Sequence, residues 1–155
     1  MIPEKVELAS IIPHRGRMLL LSRIKEYNLK ENTLSAEYDI TEDCLFYDPA
    51  IGAVPAWVGF EFMAQAISAL IGLWRLERGE ELRIGFIMSV SSMRIGFPSF
   101  KAGSSIEVKV KQHESMDPVY SFAGEIFFEG RKVIEGRLSV MDAMDEQIEA
   151  LKKGV

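Results

Sequence analysis

The residues best placed to do chemistry lie in one apolar stretch. From Val54 to Trp74 nearly every residue is apolar or small, and the polar exceptions are Glu61, Gln65 and Ser68, with Gly72 continuing the spacing. At 3.6 residues per turn, these four positions fall on one narrow stripe of a helix. A carboxyl lodged among Phe60, Phe62 and Met63 has two readings. It is a reactive acid or base held away from water, or it joins Gln65 in hydrogen-bonding the backbone of a neighbouring loop. Spacing alone leaves both open. The remaining reactive types are sparse. His14 and His113 are the only histidines and lie far apart, and Cys44 is the single cysteine, so no intrachain disulfide can form. No spacing suits zinc, no metal site is expected, and Cys44, without a histidine close in sequence, reads as an inert thiol.

A helix with so thin a polar seam must be covered on nearly all sides, since a surface helix would show a broad charged face. The spacing predicts this helix over Pro55 to Arg78, with Pro55 early and Arg75, Arg78 and Gly79 suited to its C-terminus. Ahead of it, a short helix from Val6 to Ile12 should stop before Pro13. Strands follow at Met18 to Tyr27 and Thr33 to Ile40, then an irregular loop over Asp43 to Val54. Behind it, Ile84, Phe86, Met88 and Val90 alternate, as do Met93, Ile95 and Phe97, with a change of phase that predicts a bulge. Further strands are expected at Ile106 to Val110, Val119 to Phe128 and Lys132 to Met141, with Glu129-Gly130 as the hairpin turn between the last two. The tail from Asp145 to Lys153 reads as a surface helix. Two strands, one long helix, then about four strands fit an antiparallel sheet wrapped around that helix, an α+β hotdog arrangement with residues 1–155 as one domain.

Composition narrows the function. Hydrophobic residues make up 48% and charged residues 26% of the 155, which is enough apolar surface for a sizeable core. A net charge of −5, with no basic stripe interleaved with aromatics, argues against a nucleic-acid partner. A membrane span is disfavoured by Glu61 in the middle of the apolar run and by the flanking amphipathic strands. The first residues, Met1-Ile2-Pro3-Glu4-Lys5, lack the basic-then-apolar layout of an export signal, so a cytoplasmic location is expected.

The opening Ile12-Pro13-His14-Arg15 followed by Met18-Leu19-Leu20-Leu21-Ser22-Arg23 resembles the 3-hydroxyacyl-(acyl carrier protein) dehydratases of fatty acid synthesis. Pro55, Glu61, Ala64 and Gln65 match the central-helix pattern of that family. The resemblance implies a histidine base from a loop and a helix carboxyl from the other subunit, with helix N-terminal amides polarising the thioester carbonyl. Counting back from Glu61 puts the histidine position on Tyr47, whose phenol ordinarily titrates near ~10, too high for a neutral-pH base. His14 matches the opening motif, where the resemblance implies a structural role, and His113 beside a strand reads the same way. Val54-Pro55-Ala56-Trp57, the Glu61/Gln65 pair and the later Phe97-Pro98 with Ala102-Gly103 are similar to the dehydratase-like subgroup of aryl polyene biosynthesis. Members of that subgroup commonly lack the loop histidine.

The resemblance thus implies a 3-hydroxyacyl thioester dehydratase-like protein with Glu61 and Tyr47 in the catalytic positions. Gln65, Trp57, Phe60, Phe86 and Met88 are expected to contact the substrate, in part as the wall of an acyl tunnel. No cofactor is expected. The expected partners are an acyl carrier protein thioester or acyl-coenzyme A, and a second subunit, as a homodimer or a heterodimer with an active paralogue. Two alternatives stay open: a hotdog thioesterase in which Glu61 activates water or attacks the carbonyl, and a non-catalytic subunit that shapes an active partner.

Overall fold

The computed structural model describes residues 7–81, 85–116, 118–142 and 153–154. Eight strands and one long helix are formed among them: β1 (Arg23–Asn28), β2 (Thr33–Asp39), β3 (Ala53–Pro55), α1 (Gly59–Arg78), β4 (Gly85–Ile95), β5 (Ser99–Lys101), β6 (Ser105–Met116), β7 (Val119–Phe128) and β8 (Arg131–Asp142). Six of the strands make one antiparallel sheet in the order β1-β2-β6-β7-β8-β4, and β3 pairs with β5 in a separate two-stranded ribbon. The long helix lies against this sheet as the hotdog arrangement requires.

The alternating strands appear where their periodicity places them. In β2, Leu34, Ala36 and Tyr38 face the core, and in β7, Phe122 and Ile126 do the same. The β7–β8 hairpin turns at Glu129 and Gly130, whose φ values of 50° and 77° are the left-handed pair of a tight two-residue turn. The helix begins in a 3-10 turn over Ala56–Val58 rather than as a full α-helix from Pro55. It closes at Gly79, whose φ of 69° lets its N–H reach the carbonyls of Arg75 and Leu76.

Other boundaries also differ from the sequence pattern, among them the helix expected from Val6 to Ile12, which among the described residues is a 3-10 turn over Leu8–Ser10. The strand expected from Met18 begins only at Arg23, because Gly16–Met18 forms a 3-10 turn and the amides of Leu20 and Leu21 bond to the Gln65 side chain instead of a neighbouring strand. The two alternating runs after Gly79 are one strand, β4, with register shifts between Ile87 and Ser89 and between Val90 and Ser92. The second shift falls where the alternation changes phase. Finally, β6 runs on past Val110 to Met116 as an arm paired with β7. The expected tail helix from Asp145 falls outside the described residues, apart from 153–154.

By length and apolarity, Ala56–Arg78 could cross a membrane, yet 67% of its most apolar window is buried inside the protein. Its neighbours explain its composition. Phe62 meets the Tyr38 ring in a tilted contact with centroids 4.8 Å apart, and Trp74 meets both Tyr120 and Phe122. Met63 rests on Gly124 of β7, and Gly59 admits the ends of Ile126 and Ile134. On the opposite side the N-terminal segment crosses the helix at Gly72, where a Cβ would stand 1.8 Å from the Ile11 carbonyl oxygen. Gly72 is thus a backbone crossing point rather than part of a polar seam. Gly72→Ala should lower stability by about 2 kcal/mol or more, despite the ~1 kcal/mol that alanine adds to a helix. Chemical denaturation reads this, and an unchanged midpoint would contradict the crossing.

Candidate functional site

The seam of α1 is covered by the segment from Ile12 to Leu21. Gln65, completely buried, holds that segment. Its Oε1 accepts the backbone N–H of Leu20 at 2.9 Å and of Leu21 at 3.2 Å, and its Nε2 donates to the Met18 carbonyl at 2.7 Å and to Glu61 Oε1 at 3.1 Å. A primary amide has two hydrogens and two acceptor lone pairs, so these four bonds use its whole capacity. Nothing of Gln65 remains to bind a substrate directly. Its bond to Glu61 fixes that carboxyl from one turn further along the helix.

Glu61 itself sits in the first turn of α1, and its side chain keeps 17% of its surface open. Because Oε1 takes the amide hydrogen, Oε2 is the oxygen left to carry a proton outward. The same covering segment brings a second group: His14 Nε2 lies 3.8 Å from Glu61 Oε1, with 24% of the imidazole side chain open. Its Nδ1 is buried and has no hydrogen-bond partner among the described residues. Burial holds the His14 pKa below its ordinary value; the Glu61 carboxylate pulls the other way, and Arg15 adds to the fall. Arg15 is tied back to its own segment, donating to the Ile12 and His14 carbonyls. Beneath the seam, the Tyr38 hydroxyl donates to the Phe62 carbonyl at 2.5 Å and fixes the helix from below.

Neither the 3-10 turn at Ala56–Val58 nor the start of α1 is capped by a side chain. The positive end of the helix dipole lies at this turn, where Gly59 N–H donates to the Ala56 carbonyl. Ala56 N–H is already engaged by the Pro98 carbonyl at 3.0 Å.

The other expected residues spread around this centre. Tyr47 is half-buried in the turn that follows Cys44, where its N–H donates to the Cys44 carbonyl at 3.0 Å. Among the described residues no hydrogen bond or ion pair joins it to Glu61. Phe60 is half-buried beside Glu61 on the helix, whereas Trp57 is 57% exposed and meets Phe46 edge-on at 6.2 Å. Phe86 lies on β4 opposite Met141, and Met88 on the same strand is 55% exposed. His113 lies on the β6 arm, near a shallow groove on the sheet and far along the chain from this seam. The structure therefore gathers Glu61, Gln65 and His14. Of these, His14 is the one whose sequence context points to a structural role, for no spacing along the intervening positions announces a contact with Glu61.

This architecture, with a carboxyl at the head of the wrapped helix, defines the hotdog proteins of dehydratase type. A family model described as ApeP dehydratase matches residues 6–152, and the chain belongs to this ApeP-like family. The chain is 26% identical over 140 residues to the 3-hydroxyacyl-(acyl carrier protein) dehydratase FabZ of Erythrobacter litoralis, covering 88% of this chain and 91% of that one. The dehydratase heterocomplex ApeI:P from Xenorhabdus doucetiae superposes with a TM-score of 0.88 at 25% identity, over 96% of this chain and 98% of the other. A putative thioesterase from Ralstonia eutropha shares the fold, with a TM-score of 0.60 at 18% identity over 77% and 83% of the two chains.

Replacing Gln65 with Leu would leave two N–H groups and a carbonyl without this partner, the Leu21 bond being buried and the Leu20 and Met18 bonds part-buried. The expected loss is about 1–3 kcal/mol for each group left unsatisfied, so several kcal/mol at most. Hydrogen exchange is the sharper readout: the Leu20 and Leu21 amides should speed up strongly while those of β7 keep their protection. Unchanged exchange at Leu20 and Leu21 would show that Gln65 does not hold the segment.

Proposed function

We propose that this chain is a 3-hydroxyacyl thioester dehydratase-like protein acting on acyl groups carried by acyl carrier protein, in fatty acid or aryl polyene synthesis in the cytoplasm. The observation that carries the reading is the placement of Glu61. It is a carboxyl in the first turn of the central helix, fixed by Gln65 and open on one side, next to uncapped helix amides. In this arrangement the thioester carbonyl bonds the helix N-terminal amides, which makes the C2 hydrogen more acidic, and the Glu61 carboxyl protonates the departing 3-hydroxyl. Gln65 is a positioning residue. Phe60 and Trp57 flank the acyl group, with Phe86 and Met88 on the strand that a second subunit approaches. Tyr47 stands where the resemblance puts a histidine and is read as a contact of the thioester arm rather than as a base.

Support for a second subunit comes from the two edges of the sheet. The β1 edge is charged and paired, with Arg23 bonding Glu37 at 2.8 Å and Lys25 bonding Glu107 at 2.8 Å. The β4 edge instead shows Ile87, Met88, Val90 and Ile95 to solvent. An apolar unpaired edge invites another strand, whereas a charged one resists it. The whole chain, read as one domain, therefore joins a second hotdog subunit through β4. That subunit is a second copy or, as in the ApeI:P heterocomplex, a different dehydratase-like chain.

Two measurements check this reading. Glu61→Gln should preserve melting behaviour and assembly and abolish formation of the enoyl product from 3-hydroxyacyl thioesters, and a fully active variant would end the acid role. Following free thiol in the same reactions separates the thioesterase alternative, which releases thiol and no enoyl product. For assembly, Val90→Lys should shift sedimentation from dimer to monomer, and a chain that sediments as a monomer at micromolar concentration before any change contradicts the β4 interface.

A further inference from the structure

We propose that Met93 is a movable plug in an acyl slot cut across the inner face of the sheet, and that it sets how long a chain the site accepts. This rests on the dehydratase reading and names the part of the substrate which that reading leaves open. Gly124 of β7 and Gly136 of β8 stand directly opposite one another, and Met93 of β4 stands opposite Gly136, so the three form one row across the sheet. Directly opposite residues point to the same side of a sheet, and the buried Met63 of α1, resting on Gly124, makes that side the inner one. A Cβ on Gly124 would stand 2.7 Å from Met63 Sδ, and one on Gly136 would stand 3.0 Å from both Sδ and Cε of Met93. Met93 therefore lies down over the glycine beside it. The Gly136 Cβ would also meet the Ser92 carbonyl at 3.0 Å, so this floor is shaped to stay bare.

The rows on either side are built differently. Phe122 stands opposite Leu138, and Ile126 opposite Ile134, all of them buried. The glycine row is thus a trench, one residue wide, between two ridges of large side chains. The ridges continue onto β4 as Val90, opposite Leu138, and Ile95, opposite Ile134, and both of these are exposed. The trench therefore opens at the β4 edge. Adjoining glycines in mid-strand weaken a sheet and mark a place that something must approach closely. Packing alone would be met by branched or aromatic side chains, as in both ridges. Methionine fills the trench instead, and its unbranched, flexible thioether is able to leave it again. The two methionines differ in freedom. Met63 is completely buried and closes the inner end, whereas Met93 is only partly buried and lies toward the open one. Met63 also follows Glu61 by two residues, about 3 Å along the helix axis, so trench and carboxyl share one level of α1. An extended, unbranched acyl chain matches a trench of this width. It takes the floor over Gly136 as Met93 swings out, and it stops at Met63, while a short acyl group leaves Met93 in place.

The test uses the full chain with butanoyl- and decanoyl-coenzyme A, saturated thioesters that have no 3-hydroxyl to lose. Methyl NMR follows the methionines, with the Met93 signal assigned by its absence from Met93→Ala. Decanoyl-coenzyme A should move that signal, and butanoyl-coenzyme A should leave it where it is. Met93→Phe, whose rigid ring keeps the trench filled, should weaken decanoyl-coenzyme A binding by about tenfold or more relative to butanoyl-coenzyme A. Met93→Ala should shift kcat/KM in favour of 3-hydroxydecanoyl over 3-hydroxybutanoyl thioesters by a similar factor. A Met93 signal that stays put while decanoyl-coenzyme A binds, or that moves equally with both thioesters, overturns the inference and leaves the dehydratase reading standing. So does a Met93→Phe variant that binds decanoyl-coenzyme A as tightly as the unaltered chain. If neither thioester binds, both fail.

Discussion

A primary amide buried completely inside an apolar helix must find four hydrogen-bond partners or destabilise the protein by several kcal/mol. Gln65 meets that demand by drawing in a segment more than 40 residues away in sequence, and much of the molecule depends on it. The segment from Ile12 to Leu21 cannot join the sheet as a strand, because the amides it would use are already taken. It lies across the helix instead, seals the side that the sheet leaves open and seats Ile11 at Gly72. The fourth bond, to Glu61, orients a carboxyl near the edge of the core.

The sheet and the segment divide the covering of α1 between them. Large side chains meet small ones at close range: Met63 against Gly124, and Ile126 and Ile134 against Gly59. These approaches set the height of the helix over the sheet and leave its first turn at the border of the core. There a carboxyl can keep contact with solvent and still have apolar neighbours. The same border is the positive end of the helix dipole, so the carboxyl and that partial charge arise from one helix end.

Much of this fold is written in short-range pattern. The alternation in Val119–Phe128, the Glu129-Gly130 turn and the Gly79 helix stop are local, and each element forms where its own residues place it. Even the double irregularity of β4 leaves a trace as a change of phase after Val90. Other features depend on contacts that no window of sequence contains. The stripe Glu61, Gln65, Ser68 and Gly72 is visible, but Gly72 serves as a crossing point for backbone, which spacing cannot distinguish from a polar seam. The outer arm of β6 lacks core-facing alternation beyond Val110 and is held mainly by its pairing with β7, with Lys111 opposite Thr33 and Gln112 N–H on the Asn32 carbonyl at its base. His14 is the sharpest case. Its position within a family-like opening motif suggests a scaffold residue, and only the folding of that segment over Gln65 reveals the carboxyl beside it.

Gln65 joins the covering segment and the Glu61 carboxyl into one hydrogen-bonded unit. A double-mutant cycle on unfolding free energy measures this, comparing Gln65→Leu, Glu61→Leu and the double variant with the unaltered chain. The two positions should be coupled, with the Glu61 substitution costing a different amount once Gln65 is gone. Losses that simply add would contradict the shared unit.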